Sequence, residues 1–113
     1  MVKDNLVRLN HMLDAANAIE QFMKNRTREE LESDLMLFSA LIRQLEIFGE
    51  AASGISQDCR EGYGNIPWSK IVGMRNRLIH AYFDVDPEIV WQAITVELPS
   101  VIAELKKMVK NLS

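Results

Sequence analysis

Cysteine is almost missing from this chain: Cys59 is the only one in 113 residues. No intrachain disulfide can form, and a reducing cytoplasm is the expected compartment. No apolar run approaches the ~20 residues that span a bilayer, so no membrane segment is expected. The first thirteen residues carry polar groups throughout and lack a signal-peptide core. Repeats and low-complexity segments are missing too. Nor is there a basic excess: the net charge is −3 and the pI about 5.4. That argues against a protein that coats nucleic acid non-specifically, which would carry a broad basic face.

What is present is an ordinary core composition, 48% apolar, enough for one domain covering residues 1–113. The apolar spacing is helical throughout. Leu6, Leu9, Leu13, Ala16, Ile19 and Met23 form one stripe. Residues 25–28 interrupt it. Thr27 followed by Glu30 fits a capping box, and Ser33-Asp34 offers a second helix start. A second stripe runs through Leu35, Phe38, Ile42, Leu45, Phe48, Ala52 and Ile55, with Leu37, Leu41 and Ile47 on a neighbouring face. So wide an apolar surface suits a central helix, or one shared with a second subunit.

The small residues from Gly49 to Gly54 allow a neighbouring backbone to approach closely. Residues 58–65, with Gly62 and Gly64, read as a loop. Pro67 starts a third helix and Asp86-Pro87-Glu88 a fourth, since proline at a first turn leaves no N–H unsatisfied. Pro99 falls inside the last apolar pattern and predicts a kink rather than an end. The expected fold is therefore all-α, an antiparallel up-and-down four-helix bundle with a kinked last helix.

Polar chemistry concentrates in one place, Arg75-Asn76-Arg77-Leu78-Ile79-His80-Ala81-Tyr82. Histidine moves protons near neutral pH, and arginine offers phosphate oxygens a forked cation. Residues 68–80 hold Lys70, Arg75 and Arg77 and no acid, a local basic site on an acidic body. At about 100° per residue, Arg75 shares a face with Ile71, Leu78 and Tyr82, and His80 lies about 140° away. Convergence of Arg75 and His80 then needs either an irregular helix near 79–80 or a second subunit. Read as composition alone, both are also compatible with surface cations near a helix end. Glu46 and Glu50, a like-charged i,i+4 pair, are expected on a solvated face, with an approach to Arg75 as the alternative. His11 is expected in solvent, and Trp68 and Trp91 are expected to be core anchors.

The Arg–Asn…His–Ala–Tyr core, with Ile66-Pro67-Trp68 and Gly73-Met74 before it and Phe83-Asp84-Val85-Asp86 after it, resembles the signature of HEPN domains. Among them it is most similar to the HepT toxin subfamily. Arg43-Gln44-Leu45-Glu46 running into Gly49-Glu50-Ala51-Ala52 adds to the likeness, which spans roughly residues 35–105. One departure is Ala81, where many relatives carry glycine.

The resemblance implies a HEPN-type bundle and a metal-independent endoribonuclease with Arg75 and His80 catalytic and Asn76 supporting. It implies no cofactor, a homodimer with a shared cleft, and an RNA substrate that Lys70 and Arg77 are candidates to contact. It implies as partner a minimal nucleotidyltransferase of the MNT type, the antitoxin of a HepT/MntA toxin–antitoxin module. In such modules the tyrosine matching Tyr82 accepts adenylyl groups. The alternative is a non-catalytic helical subunit that binds nucleotide or substrate for that transferase.

Overall fold

The computed structural model describes residues 2–81 and 84–113, and these contain helices and no strand. Helix α1 runs Val2–Met23, α2 Arg28–Ser33, α3 Leu35–Ser53, α4 Gln57–Gly62 and α5 Trp68–Ala81. The chain then continues as α6 Pro87–Gln92, a π-helical turn Ala93–Glu97 and α7 Leu98–Leu112. Four long elements (α1, α3, α5 and the α6–α7 rod) make the bundle, and α2 and α4 are short helices of six residues each set into its connections.

Each boundary has a local cause. Asn25 takes a positive φ of 61° just after α1, a conformation asparagine tolerates better than most residues. Thr27 then caps α2 through a complete capping box with Glu30. The Arg26 side chain and the Thr27 amide donate to the Glu30 carboxylate and hold its pKa below the usual range. Asp34 both ends α2 and caps α3 by accepting from the Leu37 amide. Both starts expected near residues 27 and 34 are therefore used.

The stretch expected to be a loop at 58–65 is partly helical. Ser56 accepts from the Cys59 amide and starts α4. The Arg60 guanidinium donates to the carbonyls of Ala52, Ser53 and Ile55, satisfying the exposed end of α3. Two glycines suggested a turn, but Gly62 still belongs to the helix and only the residues after it leave.

Helix α3 is the central one, packing on α1, α2 and α5. Asn5 near the start of α1 exchanges two hydrogen bonds of 3.0 Å with Ser56, just past the end of α3, so α1 and α3 run antiparallel. Asn111 at the far end of α7 donates to the Tyr63 hydroxyl at that same pole, so α7 returns antiparallel to α1, on which it packs. The core joins Leu9, Met12 and Ile19 of α1 with Leu41, Leu45, Phe48 and Ala52 of α3, Leu78 of α5, and Ile102, Leu105 and Met108 of α7. Trp68 is buried as expected, its indole N–H donating to the Tyr63 carbonyl, and Trp91 packs partly buried against the core.

The kink expected at Pro99 takes a specific form. Proline supplies no N–H, and its ring crowds the carbonyl four residues back. The ladder widens to the π turn just before it, with the Leu98 amide reaching the Ala93 carbonyl.

Candidate active site

Helix α5 is regular from Trp68 to Ala81. The irregularity considered near residues 79–80 is not found up to Ala81, so the offset of about 140° between Arg75 and His80 stands within one chain. Ile71 and Leu78, on the Arg75 side, pack on the core. Asn76 and His80 lie on the opposite, exposed side. His80 sits in the last turn of α5 and has no hydrogen-bond partner among the described residues. Tyr82 and Phe83 lie outside the described residues.

Arg75 is half-buried, and its environment is built by α3. A Cβ added to Gly49 would meet Arg75 Cβ at 2.3 Å and Cγ at 2.9 Å, so the arginine stem lies directly on the α3 backbone. Only glycine permits that approach. The guanidinium is then held on two sides. One terminal nitrogen, Nη1, donates to Asn76 Oδ1 at 2.8 Å. The other, Nη2, donates to Glu50 Oε2 in an ion pair. The inner nitrogen, Nε, is buried with no hydrogen-bond partner. Four N–H groups sit on the two Nη atoms, so two remain for another anion.

The basic patch expected on α5 is thus largely neutralised by neighbouring helices. Glu50 takes Arg75, and Glu97 from the π turn takes Lys70 at 2.8 Å. Arg77 is exposed and has no ion-pair partner among the described residues. Glu50 is exposed, as expected, and also reaches Arg75, the alternative considered, while Glu46 pairs with Arg43 at 3.7 Å. His11 is exposed, as expected. The Gly49-Glu50 step is the part of the site that sequence reasoning undervalued. Its signal was a glycine followed by a carboxylate on a helix already marked as central.

On the far side of α5 from Asn76 and His80 lies a groove of about 300 Å³. Leu45, Phe48, Met74 and Leu78 line it, with Lys70 and Arg77 at its rim. Among the described residues, no group of three or more histidine, cysteine or carboxylate side chains converges as a metal site. None of the described helices is long and apolar enough to cross a membrane.

Residues 12–108 match the ribonuclease HepT-like family. The chain belongs to that family. It is 35% identical over 112 residues to a Methanocaldococcus jannaschii protein named as a gamma-glutamylcyclotransferase and candidate RNase. The match covers 99% of this chain and 50% of that protein. It is 38% identical over 104 residues to a candidate RNase of Caldanaerobacter subterraneus, covering 92% of this chain and 89% of the relative. A Thermococcus cleftensis protein named as a probable ribonuclease HepT is 35% identical over 102 residues, with 90% and 93% covered. The HepT-like chain thus spans half of the first relative and most of the other two. No solved structure matches it.

Proposed function

We propose that this protein is a metal-independent endoribonuclease, the toxin of a cytoplasmic toxin–antitoxin pair, acting as a homodimer. The observation that carries the reading is the held Arg75 guanidinium with two donors to spare, on the helix that also presents an exposed His80. Membership of the ribonuclease HepT-like family supports it.

The chemistry needs no more than these groups. A histidine takes the proton from an RNA 2′-hydroxyl, whose oxygen attacks the adjacent phosphorus. Arg75 stabilises the extra negative charge on the phosphorane oxygens. A protonated histidine gives its proton to the departing 5′-oxygen, leaving a 2′,3′-cyclic phosphate. In a two-fold dimer each copy brings its motif to the shared cleft, where Arg75 of one copy acts with His80 of the other, giving two equivalent pairs. The regular α5 favours this arrangement, because Arg75 and His80 of a single chain point about 140° apart. Ile79, 44% exposed beside His80, gives that face an apolar component for a partner copy. Asn76 steadies Arg75, and Arg77 is the better placed of the two candidate RNA contacts, since Lys70 is already paired.

The antitoxin in this reading is a minimal nucleotidyltransferase. It transfers AMP from ATP to the Tyr82 hydroxyl and releases pyrophosphate. The bulk and negative charge of the adenylate then displace substrate phosphate. Co-expression with the cognate transferase should add the mass of AMP to the peptide containing Tyr82 and silence cleavage, and Tyr82→Phe should escape.

The test of the activity itself is RNA cleavage by the purified protein in EDTA. Wild type should cut, and Arg75→Ala and His80→Ala should each lose about 10²–10⁴ in rate with unchanged melting. Cleavage that EDTA stops, or a wild type that leaves every RNA intact, refutes the reading. The second outcome would instead favour a non-catalytic subunit that binds nucleotide or substrate for the transferase.

A further inference from the structure

We propose that Glu50 is a positioning residue for Arg75, holding its guanidinium in the orientation that meets the scissile phosphate. The inference rests on the ribonuclease reading and extends it to a second helix.

Three features of the arginine lead to it. First, its stem is pinned: Cβ and Cγ lie against the Gly49 backbone, so the side chain leaves α5 in one direction. Second, Nε is buried and unpartnered, so the Nε–Nη edge that often grips phosphate side-on is closed to substrate. Only the outer Nη1 and Nη2 atoms can reach an anion. Third, each of those atoms is already fixed by one acceptor, Asn76 Oδ1 on Nη1 and Glu50 Oε2 on Nη2. A guanidinium pinned at its stem and held at both tips cannot swing, and still presents one N–H from each tip. Such advance ordering of a charged donor is what transition-state stabilisation requires.

The stability role of the pair is small by comparison. Glu50 is 62% exposed and Arg75 26% exposed, and ion pairs of this kind contribute little to folding. A carboxylate conferring little stability, placed on the one arginine of the motif that faces α3, is best explained by what it does to that arginine. A competing role is that of a latch, in which Glu50 blocks Arg75 until substrate displaces it. The two roles have opposite consequences on removal.

The experiment compares wild type, Glu50→Ala and Glu50→Gln in steady-state cleavage of a fluorogenic RNA, with thermal melts of all three. Loss of positioning should lower kcat about 10- to 100-fold and move KM by no more than about twofold, with melting unchanged. Glu50→Gln should recover part of kcat, because its amide oxygen still accepts from Nη2. In parallel, Arg75 should react faster with phenylglyoxal in Glu50→Ala than in wild type, read by mass spectrometry and independent of catalysis. A wild-type rate in Glu50→Ala, a rise in rate or a tighter KM, or unchanged Arg75 reactivity overturns the proposal. A melt that falls in step with kcat, with no rescue by glutamine, also overturns it and assigns Glu50 to folding alone. If wild type itself cuts no RNA, the ribonuclease reading fails and takes this inference with it. If wild type cuts and Glu50→Ala cuts equally well, this inference fails alone.

Discussion

Two glycines on facing helices should respond to alanine with opposite signs. Gly49 lies inside α3, where a new Cβ would meet Arg75 Cβ at 2.3 Å and the Ile71 carbonyl oxygen at 3.2 Å. Neither contact is with the free end of a flexible side chain, so α3 and α5 must part or the arginine must move. Forced overpacking of this kind costs about 1–3 kcal/mol, and a contact this close belongs at the upper end. Replacing glycine in a helix interior returns about 1 kcal/mol. The net expectation for Gly49→Ala is a loss of about 2 kcal/mol, roughly an 8 °C fall in Tm for a domain of this size.

Gly73 lies in α5 with nothing within 4 Å of its would-be Cβ. Gly73→Ala should therefore gain about 0.5–1 kcal/mol from backbone entropy. Urea titrations followed by far-ultraviolet circular dichroism would measure both on one scale. Cleavage should fall in Gly49→Ala by more than its folded fraction explains, because Arg75 is displaced from Glu50 and Asn76. If Gly49→Ala matches or exceeds wild type in stability, the close approach of α3 and α5 at Arg75 is wrong, and with it the origin of the arginine's fixed direction.

Two further expectations test the frame that carries the site. Thr27→Ala removes a complete capping box from α2 and should cost about 1 kcal/mol by chemical denaturation, with no change in the midpoint's dependence on protein concentration. Burial raises the Cys59 thiol pKa, so at pH 8 fewer thiolates exist than in an unfolded chain. Alkylation by iodoacetamide should be slower in the native protein than in the urea-unfolded one, and equal rates would mean that α4 does not pack as described.

Helix existence and the two main caps were readable from the sequence because apolar spacing and Thr27, Glu30 and Asp34 are local signals. The kink at Pro99 was equally local, although its π form depends on how the ladder relaxes before the proline. Helix α4 was not readable. Gly62 and Gly64 announced a loop, while the force that organises residues 57–62 comes from Arg60 binding the carbonyl end of α3. The site divides the same way. The Arg75 to His80 spacing marked the candidate, and the regularity of α5 up to Ala81 leaves the two residues on different sides of one helix. Glu50 could not be placed from spacing, because its contact with Arg75 spans 25 residues of sequence. The net effect of such cross-helix pairing is a site much less basic than residues 68–80 suggest when read alone.

Arg75 and His80 of different copies are expected to make one catalytic site. Mixing inactive Arg75→Ala with inactive His80→Ala, after unfolding and refolding together, tests this in a single assay. In a two-fold dimer half the reassembled pairs are mixed, and each mixed pair rebuilds one intact site from the two healthy residues. Cleavage should return to about one quarter of the wild-type rate, and sedimentation should show dimers throughout. If the mixture stays as inactive as either variant alone while its components exchange freely, the site is contained within one chain and the composite account is wrong.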